Sequence, residues 1–119
     1  MRGIVAIPVV VLAWASISPV VAKTETLTGE VISLSCYFQN KANVGQAGMI
    51  CAIATVKWEG NPAGLLTADG KVYQFTGNLV ARNNAKIVPL LGHTVTVTGD
   101  VHEKNGMLMI AADGAKIVK

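Results

Sequence analysis

From Thr24 to Phe38 the chain alternates in twos. Leu27, Gly29, Val31 and Ser33 fall on one parity, and Thr28, Glu30, Ile32, Leu34 and Cys36 on the other. A period of two with abundant Thr, Val and Ile predicts a long first strand, and Gly29 within it predicts a bulge or sharp bend. Gln39 to Gly48 is polar and contains glycine, which predicts a loop. Met49 to Trp58 is apolar and rich in Ala, and its period leaves a turn or two of helix and a short buried strand both open. The cluster Glu59-Gly60-Asn61-Pro62-Ala63-Gly64 predicts a turn. Leu65–Thr67 and Val72–Thr76 predict a hairpin around Ala68-Asp69-Gly70-Lys71, because Asp-Gly suits a turn with positive φ at both centres. Between Asn78 and Leu91 the apolar residues recur without strict alternation. A short helix ending before Gly92, limited by Pro89, is expected there. His93 to Glu103 alternates again, Lys104-Asn105-Gly106 predicts a hairpin turn, and Met107 to Ala111 its return strand. Ala112-Asp113-Gly114 reads as a last turn before a short final strand over Ala115 to Val118.

This order predicts a mainly β fold: a small five-stranded OB-like barrel with one short helix between the third and fourth strands. Closure suits a short chain, since a barrel leaves no open edge. An open antiparallel sheet with a helix on one face is the competing architecture.

The N-terminal stretch follows a different pattern. Arg2 precedes an uncharged apolar run from Ile4 to Trp14, and Val20-Val21-Ala22 supplies small residues before Lys23. Residues 1–22 therefore read as a secretory signal peptide and 23–119 as a single domain that is periplasmic or secreted. A retained anchor is the alternative; Pro8 and Pro19 favour cleavage, which would leave no stable membrane span. The leader also accounts for much of the 51% hydrophobic content in a chain of 119 residues. The net charge of +3 is spread over single residues, with no run of Lys or Arg. A nucleic-acid partner, which favours a clustered basic stripe, is not expected.

Cys36 and Cys51 are the two cysteines. In an exported chain an even count predicts a disulfide. The alternative is a metal or redox role using Cys36 and Cys51 with Met49 or His102. Within the pool Cys36, Cys51, Met49, Met107, Met109, His93 and His102 no pair has finger-like or helical ligand spacing. Met107 and Met109 share a parity that suits a core. No cofactor is expected.

The acidic residues form no tuned pair, Asp69 and Asp113 precede glycine as turn formers, and no serine sits in a nucleophile elbow. An enzyme is not expected. Trp58 beside Lys57, and Tyr73 near Lys71, have the composition of a base-stacking platform, but core and rim roles suit an exported chain better. The expectation is a binding or interaction module whose partner is a small molecule, an envelope component or a protein. Its surface is placed on Gln39, Asn40, Asn43, Gln46, Trp58, Asn61 and Tyr73, since binding residues concentrate on loops held by a rigid scaffold.

The run Cys36-Tyr37-Phe38, then Gly45, Cys51-Ala52, Gly60-Asn61-Pro62-Ala63-Gly64-Leu65-Leu66 and Asp69-Gly70-Lys71-Val72-Tyr73 resembles a group of small exported bacterial proteins of OB-like build, mostly of unassigned function. The likeness covers most of residues 23–119 and ends in the strand Val95 to Val101. Members often carry a His three residues before the second cysteine and a further Cys four residues after it. Here those positions hold Gly48 and Thr55, which implies that any metal or redox role of those groups is lost. A more distant likeness is to the periplasmic OB-fold stress proteins. The resemblance implies fold and compartment.

Overall fold

The computed structural model describes residues 23–119; the proposed leader lies outside the described residues. Five strands form a closed barrel: β1 Lys23–Ser33, β2 Ala63–Thr67, β3 Val72–Thr76, β4 Thr94–Lys104 and β5 Met107–Ile117. Around the barrel they run β1-β2-β3-β5-β4, with β4 returning to β1. The β3–β5 pair is parallel and the others are antiparallel. This is the OB-like order expected from the strand and turn pattern.

Closure depends on β1, whose first part pairs with β4 and whose last part pairs with β2. Gly29 and Glu30 lie in both ladders, opposite Thr67 and Leu66 on one side and Val95 and Thr94 on the other. A Cβ at Gly29 would stand 2.5 Å from the carbonyl oxygen of Leu66. The glycine expected to mark a bend thus lets two backbones meet where the sheet folds over.

The inward parity is mainly apolar on every strand. Val31, Leu65, Tyr73, Phe75, Val95, Val97, Ile110 and Ala112 are buried, and Leu27, Val101 and Leu108 pack against them. Ala52, Val56, Leu79, Ile87 and Leu91, from the connecting segments, complete the same core. On the outward parity of β1 and β4 a polar ladder faces solvent: Thr24 donates to Asp100 (2.8 Å), and Thr26–Thr98 and Thr28–Thr96 are hydroxyl pairs at 2.8 and 3.1 Å.

The structure sharpens or corrects the sequence expectation in four places. The first strand ends at Ser33, because the Ser33 side chain caps a short helix, α1 (Leu34–Gln39), by accepting from the Cys36 amide. Met49–Trp58 is helical: a 3₁₀ turn (Gly45–Gly48) leads into α2 (Met49–Ala52), and the chain then widens to a π-helical segment (Ile53–Trp58). The longest helical stretch therefore lies between β1 and β2. The connection from β3 to β4, expected to hold one short helix, holds three short helical turns, at Gly77–Val80, Ala81–Asn84 and Val88–Leu90, the middle one kinked. Finally, Ala112-Asp113-Gly114 is a bulge inside a continuous β5: Val97 pairs with Ala115 and Gly99 with Ala112, so β5 carries the extra residue.

The two hairpins differ in turn chemistry. Asn105 (φ 53°) and Gly106 (φ 81°) are both left-handed, as a two-residue turn requires. In the Asp69-Gly70 corner only Gly70 is (φ 87°). Thr67 and Lys71 close that loop, with the Thr67 amide donating to the Lys71 carbonyl at 3.0 Å. The expected pair of positive φ values holds at one corner and is replaced by a three-residue loop at the other.

Candidate functional site

Cys36 and Cys51 are joined in a disulfide, with Cα atoms 6.1 Å apart, across a separation of 15 residues. It ties α1 to α2. Thr55 lies beside the disulfide. Its hydroxyl donates to the Cys51 carbonyl (2.9 Å) and lies 2.7 Å from the Ser33 hydroxyl and 3.5 Å from the Cys36 sulfur. With its proton committed to Cys51, Thr55 accepts from the buried Ser33, which in turn accepts from the Cys36 amide. A metal held by these two cysteines would need thiolates, and in the disulfide neither sulfur is one.

The asparagines expected on the ligand surface mainly hold the loop in shape. Asn43 donates its side-chain amide to the Cys36 carbonyl (2.9 Å), and Asn40 accepts from the Ala42 amide (2.9 Å). Asn61 donates to Glu59 (3.2 Å). Gln39 and Gln46 are exposed. Tyr73 is a correction: it is 7% exposed and belongs to the core, because odd positions of β3 point into the barrel. Its ring has no face to offer a ligand. Of the weak metal candidates, Met49 packs against the core and against Gly92, where an added Cβ would stand 2.8 Å from its sulfur. His102 lies far along β4, paired with Met109. The structure therefore does not gather Met49, His102 and the cysteines into one site.

Trp58 stands out. It is 72% exposed, an unusual placement for the largest side chain. It ends the π-helical segment, and the Lys57 ammonium sits 4.8 Å from its ring centroid, a cation–π contact. Trp58 and Lys57 line one wall of an open groove of about 460 Å³; Arg82, Asn83, Ala85, Val88 and Pro89 line the other. Two cations and no carboxylate face the groove.

The opposite wall is built from strained backbone. Arg82, Asn83 and Asn84 have φ values of 57°, 56° and 64° in succession. A left-handed residue with a side chain costs about 1–2 kcal/mol, least for Asn, so Arg82 is the costly member. Buried Asn84 holds the turn in place by donating its side-chain amide to the carbonyls of Val56 (3.3 Å) and Asn61 (3.1 Å). The Val56 carbonyl belongs to the helical segment that carries Trp58 and the Asn61 carbonyl to the turn that follows it, so one buried amide ties the two walls together. Trp58 is among the residues that the sequence places on a ligand surface; Arg82 and Asn83, which line the same groove, are not. The available signal was Arg-Asn-Asn before an apolar run, where two successive asparagines favour left-handed backbone.

Among the described residues no three His, Cys, Asp or Glu side chains come together, and no helix is long and apolar enough to cross a membrane. Asp69 has a lowered pKa. Its carboxyl is held below the usual carboxylate range by hydrogen bonds from the Thr67 hydroxyl and the Lys71 amide. That is turn chemistry rather than catalysis.

Fold and groove together define a class: a small OB-like barrel, stapled by one disulfide, with an aromatic and cationic groove where the β1–β2 and β3–β4 connections meet. Comparison takes the identification no further, since no family model, no curated protein and no solved structure matches the chain.

Proposed function

We propose that the protein is an exported, non-enzymatic binding module that recognises an anionic component of the cell envelope through the Trp58 groove. One observation carries this reading: an exposed tryptophan, braced by Lys57, faces an arginine held in a left-handed conformation across an open groove free of acidic side chains. Backbone strain of this kind concentrates at binding sites, where it positions a side chain at a cost to stability. Trp58 supplies a flat apolar face, Arg82 and Lys57 supply charge, and Asn83 can donate and accept hydrogen bonds. The combination suits a ligand that presents a sugar or other flat face beside a carboxylate, as peptidoglycan fragments do. The disulfide and the leader-like segment support a compartment outside the cytoplasm.

Trp58 is the sole tryptophan after the leader, so its fluorescence reports directly on the groove. Titration with soluble muropeptides is expected to quench or shift the emission saturably, and Arg82→Ser should weaken that binding about tenfold or more. An emission spectrum that stays unchanged up to millimolar muropeptide would refute the ligand class. Unaltered affinity in Trp58→Ala, followed by calorimetry, would refute the site.

A further inference from the structure

We propose a second, independent site on the outer face of the β4–β5 hairpin: a soft-metal site for Cu(I) made of His102, Met107 and Met109. The tight Asn105-Gly106 turn fixes the register, so that Lys104 faces Met107, Glu103 faces Leu108 and His102 faces Met109. Leu108 packs against the core and Ile110 is fully buried within it. Alternation along a strand then turns Met107 and Met109 to the outside. His102 lies on that same face, because its neighbour Val101 is the residue that packs inward. The three side chains are all half-buried.

Directly opposed residues in an antiparallel pair have Cβ atoms about 4.5–5.5 Å apart, and diagonal neighbours lie within about 7–8 Å. His102 and Met109 are the opposed pair, and Met107 is the diagonal neighbour of His102. One imidazole and two thioethers can therefore converge on a single atom above the sheet. Gln74, beside Met109 on β3, and Lys104, opposite Met107, flank the three, and Asp100 lies on the same face of β4. The donor set decides the metal. Thioethers are soft, neutral ligands that select Cu(I), whereas Zn(II), Ca(II) and Mg(II) want thiolate, imidazole or oxygen donors. No cluster of His, Cys, Asp or Glu is present among the described residues to hold such cations. The placement is also uneconomical as packing. The barrel interior is filled by Leu, Ile, Val, Tyr and Phe, while two of the three methionines after the leader stand outside it, one opposite His102 and the other diagonal to it.

The test uses the processed protein with its disulfide intact, under anaerobic ascorbate, so that no free thiol competes. Competition with bicinchoninate is expected to show one equivalent of Cu(I) bound. Ag(I), an air-stable stand-in, should shift the methyl signals of Met107 and Met109 and the ring signals of His102, and leave Met49 unmoved. The volume-conserving variant Met107→Leu/Met109→Leu should keep the native circular dichroism and lose Cu(I) affinity at least 100-fold, while Met49→Leu binds as the parent does. Failure of the parent protein to compete at micromolar Cu(I) would overturn the proposal. So would a folded Met107→Leu/Met109→Leu variant that binds as tightly as the parent, or Ag(I) shifts centred on Met49.

Discussion

Replacing both cysteines by alanine tests what holds this domain together. The disulfide closes a loop of 15 residues, for which the chain-entropy model gives about 3 kcal/mol of stabilisation, acting on the unfolded chain. Small domains have about 5–15 kcal/mol in total, so the bond is a major share. The native loop has other restraints that survive its removal. The Asn40 amide (3.0 Å) and the Asn43 side-chain amide (2.9 Å) both donate to the Cys36 carbonyl, and the Gly45 amide donates to the Glu30 carboxylate. The prediction is therefore two-sided. Cys36→Ala/Cys51→Ala should fold to the same structure, with the Asn40–Gly48 amides at nearly native chemical shifts. Its unfolding free energy should fall by about 3 kcal/mol, or roughly 12–24 °C in Tm for a domain of this size. Urea unfolding followed by circular dichroism measures the first quantity, and a thermal scan the second. A loss below about 1 kcal/mol would refute the entropic argument. A loss accompanied by collapse of the loop shifts would show that the bond acts on the folded state instead.

The other predictions address single positions. Gly29→Ala should destabilise by about 1–3 kcal/mol in urea melts, since the new methyl group meets the Leu66 carbonyl oxygen at 2.5 Å where both backbones are held by sheet pairing. Arg82→Gly should leave stability unchanged or raise it by up to about 1 kcal/mol, because it relieves left-handed strain, while weakening muropeptide binding; lower stability together with unchanged binding would contradict the role given to that turn. Asn84→Ala should cost about 2–4 kcal/mol, since it orphans the Val56 and Asn61 carbonyls and puts a Cβ residue with less tolerance at φ 64°. Asp69 should titrate by NMR below an ordinary carboxyl, and Thr67→Val should move it back up. Because its folded pKa lies below the reference value of 3.8, its contribution to stability is present above that value and disappears as the pH falls through the folded pKa.

Turn residues and strict alternation made the barrel legible. Asp69-Gly70 and Asn105-Gly106 marked two corners, and the Val/Thr alternation of β4 gave one of its two longest ladders. Alternation overstates the length of the first strand, because Leu34-Ser35-Cys36-Tyr37-Phe38 still alternates tolerably. What ends it is a side-chain hydroxyl, Ser33, capping the next turn, and a serine on the inward parity carries no such label. Tyr73 is ambiguous for a related reason. A tyrosine between Val72 and Gln74 suits either face, and only its pairing with Leu65 and Leu108 puts it inside.

The same ambiguity explains why the hairpin site was invisible. Met107 to Ala112 is apolar at every position, so no period distinguishes core from surface. β5 also carries a bulge at Asp113-Gly114 that shifts its parity before Ala115. The direction of each methionine follows from register with β4, and register is set by a two-residue turn next to them. A one-residue slip there would send Met107 and Met109 inward and Leu108 and Ile110 out. Lengthening the Asn105-Gly106 turn by one glycine puts that register at risk while leaving His102, Met107 and Met109 in place in the sequence. If juxtaposition makes the site, the lengthened hairpin should lose Cu(I) affinity along with the His102–Met109 cross-strand nuclear Overhauser contacts. If those contacts vanish and the metal still binds as before, the three side chains do not act together.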